Sequence, residues 1–397
     1  MSLVETFSLP QVREFSWEHR QDDWQKLLLA TGRYPDLPIR EIAVQIQCRQ
    51  KAKHKLPTWA ANPDVLFFSS LSLEQSSSER AANFKAALLS GKTFADLTGG
   101  MGVDFRACSA SFQKAMYCER NLDLAAVTQW NLSVLGDTRQ IEWIQGDGME
   151  WLQQTSERFD WLYLDPARRD ADHQKVVRWE VCEPNVLDYK DLLLQKSAHV
   201  LIKGSPMMDI DLAIRQLADV AAVWVVAVED EVKELLFHLT KAATEPVITA
   251  VNLLKSGQEQ CLSFRRSEET LKNATYSKPL RYLYEPNAAV LKAGAFKMIT
   301  NTHVLKIAPS SHLYTSETLY IDFPGRIFEI EAITKVDKKE VLRLLPEKKA
   351  NLTVRNFPIT VADLRKKLGI AEGGDAYLFA TTDIQRAKCI IVCRKIN

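Results

Sequence analysis

The chain has 397 residues, 46% hydrophobic and 25% charged, an ordinary globular composition with room for two or three domains. No apolar run approaches the roughly 18 residues needed to cross a bilayer, and the stretch from Met1 to Phe15 lacks a basic segment followed by an apolar one, which argues against a membrane or secreted protein and predicts a cytoplasmic one. Seven cysteines without CxxC pairs and seven scattered histidines predict reduced thiols and no metal site. The net charge is +1, but it is unevenly spread: residues 266–397 hold 22 Lys and Arg against 14 Asp and Glu, and the preceding residues hold 29 against 36. A basic final third fits a polyanion-binding appendage and fits a lysine-rich solvated surface equally well.

Residues 1–90 read as a helical region. Trp24, Leu27 and Leu28 recur at helical spacing within Asp22 to Ala30, and Ile39 to Ala52 repeats apolar residues with the same period. Leu56-Pro57-Thr58-Trp59 and Asn62-Pro63 break the pattern. Trp59 with Asn62-Pro63 could line a base pocket, although a tryptophan packed in the helical core is the simpler expectation. Ser76-Ser77-Ser78-Glu79 supplies an N-cap and a first-turn acid for a helix over Arg80 to Leu89.

From Lys92 strands and helices alternate. Strands are predicted at Thr93–Leu97, Lys114–Cys118, Gln140–Gln145, Trp161–Leu164, His199–Ile202, Ala222–Val228 and Ile248–Leu253, with amphipathic helices such as Leu122–Leu135 and Leu187–Lys196 between them. Nearly continuous apolar strands separated by helices imply a parallel sheet covered on both faces. Glu231 to Leu239 is expected as a helix and Cys261–Phe264 as the last strand of a hairpin, completing an α/β domain over residues 91–266. Ser267 to Lys278 reads as a polar linker. Residues 279–397 form a basic α+β region, in one or two modules, with strands at Arg281–Tyr284, Leu319–Phe323, Arg326–Ile333, Ala350–Arg355, Tyr377–Thr381 and Lys388–Val392, and helices at Lys338–Leu345 and Val361–Leu368.

Function is written in F-A-D-L-T-G-G-M-G-V-D, Phe94 to Asp104: a short apolar strand, an acid, a glycine-rich turn and a helix. In a doubly wound sheet the ligand lies over the carboxyl ends of the first strands. Asp96 ends the first, beside Gly99, Gly100 and Gly102. Glu119 ends the second, 23 positions on, where an acid accepts from ribose hydroxyls. Asp147 follows the third, suited to an adenine amino group, and Asp165-Pro166 ends the fourth. Each acid alone is explained equally well as a helix cap or turn residue. Four at successive strand ends point to a nucleoside-bearing ligand. A nicotinamide fingerprint is absent, because GxGxxG begun at Gly100 requires a glycine or alanine where Phe105 stands.

This constellation resembles the class I S-adenosylmethionine-dependent methyltransferases, with Asp96-Leu97-Thr98-Gly99-Gly100-Met101-Gly102 as their first motif and Thr98 where many members have a glycine. D-L-T-G-G-M-G-V-D, C-E-R-N and L-D-P are more narrowly similar to guanine-N2 methyltransferases of ribosomal RNA and RNA caps. The stretches L-P-T-W-A-A-N-P-D, L-S-L-E-Q-S-S-S-E and Y-L-Y-E-P-N-A-A-V resemble a bacterial family with a C-terminal THUMP-like domain.

The resemblance implies a Rossmann-like seven-stranded domain and S-adenosylmethionine held by Asp96, Thr98, Gly99, Gly100, Gly102, Glu119 and Asp147. It further implies catalysis by Asp165, Pro166 and Arg168 on structured RNA (ribosomal or transfer), most specifically at an exocyclic base amine. Ala167-Arg168 replace the proline and aromatic residue usual in amine methyltransferases, and Arg168 could stack on a base or hold a phosphate alongside Arg169. D-P-x-R also resembles the uridine-C5 enzymes, yet the loop Lys203-Gly204-Ser205-Pro206 has no cysteine nucleophile, and Cys182 is expected to be buried. The alternatives are ribose 2′-O transfer, suggested by Lys203 with Asp165; transfer to a protein or small molecule; and a non-catalytic protein that binds S-adenosylmethionine or RNA. No feature sets an oligomeric state.

Overall fold

The computed structural model describes residues 2–168, 178–241 and 243–396, with Arg168 described by its backbone alone. The helical N-terminal region is present, including Trp24–Leu29, Ile39–Lys55 and Glu79–Ala87. Side chains stitch the Pro-broken segment between the last two helices. Arg49, nearly buried, donates to the carbonyls of Ala60, Asn62 and Val65 at 2.6–2.9 Å. Gln45 exchanges two hydrogen bonds with the Phe67 backbone. These side chains satisfy backbone groups that no regular element pairs. Trp59 is buried, so it belongs to the core and not to a base pocket.

Among the described residues, nine strands that share one sheet follow: β1 (Thr93–Asp96), β2 (Lys114–Glu119), β3 (Ile141–Gln145), β4 (Phe159–Leu164), β5 (Ser197–Gly204), β6 (Val220–Val228), β7 (Glu231–Leu239), β8 (Val247–Leu253) and β9 (Glu259–Phe264). Their hydrogen-bonded order is β9-β8-β6-β7-β5-β4-β1-β2-β3. β1 to β5 are mutually parallel, and β7 runs antiparallel to β5. This is the Rossmann-like order in which β1 and β4 meet at the centre, bringing their carboxyl ends together. β9 closes the expected hairpin on β8. The expected helix over Glu231–Leu239 is instead strand β7. Its Glu, Lys and Leu content favours a helix, but Leu235, Leu236, Phe237 and Leu239 are all fully buried, and a strand inserted beside β5 buries that run on both faces.

The chain divides into two compact units, Met1–Ala221 with Leu235–Thr244, and Ala222–Glu234 with Glu245–Asn397. In the second, a seven-stranded sheet is built from β10 (Tyr282–Pro286), β11 (Leu305–Lys306), β12 (Tyr314–Ser316), β13 (Gly325–Thr334), β14 (Asn351–Arg355), β15 (Ala376–Thr382) and β16 (Lys388–Lys395), in the order β11-β12-β10-β13-β16-β15-β14. The helices Lys338–Leu344 and Val361–Leu368 bury Val341, Leu364 and Leu368 with Leu352, Leu378 and Ile390. Buried Glu285 accepts from Arg326 and Arg355, so its charge is paired.

Two expectations for this unit fail. Leu319–Phe323 is not a strand: Leu319 and Ile321 are exposed, and Phe323 alone packs inward, 4.9 Å from the Tyr284 ring. The polar stretch from Ser267 is not a simple linker, because Arg266–Leu271 is helical and buried Glu269 accepts from the backbone N–H groups of Lys297 and Met298. Among the described residues no helix is long and apolar enough to cross a membrane, and no group of three or more His, Cys, Asp or Glu could hold a metal ion.

Candidate functional site

The glycine turn between β1 and the helix Val103–Cys108 is shaped by what glycine lacks. Gly100 and Gly102 have φ of +55° and +74°, a left-handed backbone that side chains disfavour. A Cβ on Gly99 would come within 2.1 Å of the Tyr117 ring, and one on Gly102 within 2.4 Å of Thr128 Cγ2. The Tyr117 and Thr128 hydroxyls both donate to the Gly100 carbonyl, at 2.5 and 2.9 Å, pinning the turn from below. Beside it, a Cβ on Gly148 would lie 2.3 Å from the Leu97 carbonyl oxygen, so the loop after β3 presses directly on the end of β1.

The acids meet at this edge in different ways. Glu119 receives the Gly100 N–H on Oε2 (2.9 Å) and the Asn121 N–H on Oε1 (2.8 Å), and each oxygen keeps a lone pair for another donor. Asp147 caps the helix Gly148–Gln154, accepting from the Met149 and Glu150 N–H groups on Oδ1. Its Oδ2 lies 4.0 Å from Arg120, which also pairs with Glu183. Thr98 bolts β1 to β4: its N–H donates to Asp96 Oδ1 (2.9 Å), and its Oγ1 accepts the Asp165 N–H (2.6 Å). A glycine at this position could not make the second bond, which accounts physically for the departure from the usual motif.

Asp96 itself is buried. Burial pushes its carboxyl well above the usual carboxylate range, the Thr98 N–H opposes that, and the charges of Asp104, Asp165 and Glu119 add to it. A raised folded-state value gives a stabilising contribution that is complete below the unfolded value of about 3.9 and is lost as pH rises through the folded value. Asp96→Asn keeps the acceptor for Thr98 and cannot ionise. Its thermal stability relative to wild type is therefore expected to improve as pH rises above the unfolded value of about 3.9, read by melting curves at successive pH values. A pH-independent difference would count against the ionisation argument.

Asp165, at the end of β4, meets Lys203 at the end of β5, with Nζ to Oδ2 at 2.5 Å. Lys203 also lies 3.8 Å from Asp104 Oδ2, and Asp104 Oδ1 lies 3.2 Å from Lys85. The Ser77 and Tyr163 hydroxyls each donate to Asp104 Oδ2 at 2.8 Å, and Lys85 donates to Ser77 at 3.0 Å. Burial pushes the Asp104 carboxyl up, but Lys85, Lys203 and the two hydroxyls outweigh it and hold it below the usual carboxylate range.

Sequence reasoning did not find Lys85, Asp104 or Tyr163. Two signals were present: Asp104 closes the glycine motif, and Lys85 falls on the buried stripe with Ala81 and Ala82. The serine run is more than a cap, since only Ser78 caps the helix while Ser77 joins the charge cluster. Pro166 follows Asp165 on the same loop. The Arg168 side chain and all of Arg169 lie outside the described residues. Cys182 is buried, as expected, and donates to the Arg178 carbonyl.

Residues 282–324 match the ferredoxin-like domain family and residues 325–395 the THUMP domain-like family. No curated protein matches the chain significantly. A protein from Porphyromonas gingivalis W83 assigned as a methyltransferase has a crystal structure similar to this one, with 32% identity, 98% of each chain covered and a TM-score of 0.88. Two other solved structures align only in part. A type I restriction-modification methyltransferase subunit from Streptococcus thermophilus is 13% identical over 45% of this chain and 47% of its own, with a TM-score of 0.34. TrmK of M. capricolum in complex with S-adenosyl-homocysteine is 16% identical over 41% and 68%, with a TM-score of 0.32. Likenesses this partial carry no argument about ligands. Near-complete coverage at 32% identity does carry one for kinship: the chain belongs with the Porphyromonas gingivalis protein in a family of methyltransferases that carry a C-terminal THUMP-like domain.

Proposed function

We propose that this methyltransferase uses S-adenosylmethionine to methylate structured RNA, ribosomal or transfer, at an exocyclic base amine such as guanine N2. The observation that carries the reading is the meeting of Asp165, Thr98 and Lys203 where β1, β4 and β5 end side by side. The residues present suit the cofactor. The left-handed turn at Gly100 and Gly102 keeps side chains out of the cradle, and the Glu119 oxygens have acceptor capacity left for a ribose diol. Asp96, Thr98, Gly99, Gly100, Gly102, Glu119 and Asp147 would hold it. When bound, it supplies an electrophilic methyl group on a sulfonium.

An exocyclic amine is a poor nucleophile because its lone pair is delocalised. The Asp165 carboxylate, with the Leu164 or Pro166 carbonyl, would accept its N–H groups, localise the lone pair and take the proton released as the N–C bond forms. The bound acceptor thereby meets its proton acceptor within one site, which is where positioning lowers the barrier. Arg168 is proposed to stack on the base or bind phosphate. The basic excess of residues 266–397 and the THUMP-like match support RNA as the acceptor. The division into 1–90, 91–266 and 279–397 is proposed on the same grounds. A second reading, ribose 2′-O transfer, is favoured by the 2.5 Å contact of Lys203 with Asp165.

Calorimetric titration with S-adenosylhomocysteine, with NAD as control, tests the cofactor. Micromolar binding of the former alone is expected, and Glu119→Ala should weaken it by about tenfold or more, corresponding to loss of one charge-assisted hydrogen-bonded pair. Radiolabelled methyl transfer to RNA, followed by nucleoside analysis, separates the base amine from the ribose oxygen. Equal binding of NAD, or label only in protein, would overturn the proposal.

A further inference from the structure

We infer that Asp104 and Lys203 are positioning residues for the transfer step, forming with Lys85 a charge chain, Lys85–Asp104–Lys203–Asp165, that fixes the direction of the Asp165 carboxylate. The inference rests on the Asp165 reading above.

Side-chain exposure rises along the chain from 0% at Lys85 through 9% at Asp104 and 12% at Lys203 to 36% at Asp165. One end is anchored in the interior and the other opens to solvent at the strand edge. The four groups come from four elements: the helix Glu79–Ala87, the helix Val103–Cys108, β5 and the loop after β4. A fully buried ammonium and a nearly buried carboxylate are seldom the most stabilising way to fill an interior, and apolar residues of similar volume often serve as well or better. Their presence beside the candidate site therefore calls for a role beyond packing.

The geometry supplies one. Asp104 is held by hydroxyls of Ser77 and Tyr163 on Oδ2 and faces Lys85 with Oδ1, so its carboxylate has one orientation. Its Oδ2 lies 3.8 Å from Lys203, holding that ammonium at the end of β5. Asp165, in contrast, sits on a loop and is tied to Thr98 by its backbone N–H. Among the described residues its carboxylate is met by Lys203 alone, so Lys203 sets the angle at which Oδ1 and Oδ2 face an acceptor. An error of about 1 Å at such a group can cost on the order of 100-fold in rate.

The test uses full-length protein, methyl-tritiated S-adenosylmethionine, and total RNA from a strain of the source organism lacking the gene. Lys203→Met is expected to lower kcat about 100-fold, while the Kd for S-adenosylhomocysteine and the KM for RNA stay within about threefold. Lys203→Arg, which restores a cation, should recover at least about tenfold of that loss. Because Asp104→Asn alone removes the carboxylate that faces the buried Lys85 ammonium, the interior end is removed as the pair Lys85→Met/Asp104→Asn. In a crystal structure of this variant, Lys203 Nζ is expected to have left Asp165 Oδ2 by more than about 1 Å, with a matching fall in kcat. Retention of the 2.5 Å contact with wild-type kcat would overturn the inference, as would a loss of rate that merely tracks cofactor affinity or stability. If wild-type protein transfers no label to RNA, the Asp165 reading falls, and the contact seen in the variant crystal still decides whether the chain positions Asp165.

Discussion

Asp165→Ala is expected to lower methyl transfer by between about 10²- and 10⁴-fold, the range for removing a positioned proton acceptor, while S-adenosylhomocysteine binds within about threefold of wild type. The two effects separate because the residue has two attachments. Its backbone N–H donates to Thr98, and alanine keeps that bond, so the cofactor turn stays tied to β4. Only the carboxylate is lost, and with it the group that would accept the amine N–H. Lys203 keeps Asp104 3.8 Å away, so no cation is stranded. The side chain is about one-third exposed, so the fold should tolerate its removal. Single-turnover transfer from labelled cofactor, run beside calorimetry, reads both quantities. Undiminished turnover would remove Asp165 from the mechanism; joint loss of turnover and affinity would make it a cofactor ligand.

The second large effect concerns stability. Asp104→Asn should destabilise the protein by about 3–5 kcal/mol, because it removes the carboxylate 3.2 Å from the wholly buried Lys85 ammonium. Lys85 is wholly buried and would retain the Ser77 hydroxyl but lose its carboxylate. Adding Lys85→Met should recover most of the loss, since the buried ammonium that faced the lost carboxylate goes too, and denaturant unfolding of the four members of this cycle measures the coupling. The pH dependence follows from the depressed Asp104 carboxyl. Its contribution is present above the unfolded value of about 3.9 and is lost as pH falls through the lower folded value, so the gap between wild type and Asp104→Asn should persist at neutral pH and narrow only below about pH 4. Additive single effects would mean that the pair is not coupled. Asp96, close by, has the opposite sign, and the two acids separate in the same titration.

What the sequence determined by itself is the part that depends on local order. Apolar strands ending in Asp96, Glu119, Asp147 and Asp165 predict a parallel sheet with its acids along one edge, because side-chain burial and turn chemistry act over a few residues. The N-terminal helices, the Ser78 cap and the helices Lys338–Leu344 and Val361–Leu368 of the second unit were legible for the same reason. The cofactor turn was legible because left-handed backbone at Gly100 and Gly102 requires glycine.

Tertiary structure decided the rest. β7 has a helix former's composition and became a strand only because a place beside β5 buries Leu235 to Leu239. Glu269 turned an apparent linker into an ordered element through backbone N–H groups 28 and 29 residues away. The charge cluster is the clearest case. Lys85, Asp104, Tyr163 and Lys203 are spread over more than a hundred positions, and only the central placement of β1, β4 and β5 brings them into contact. A lysine within an apolar helical stripe carries no sign of its partner, because the energy that makes its burial tolerable comes from a carboxylate that the chain supplies elsewhere.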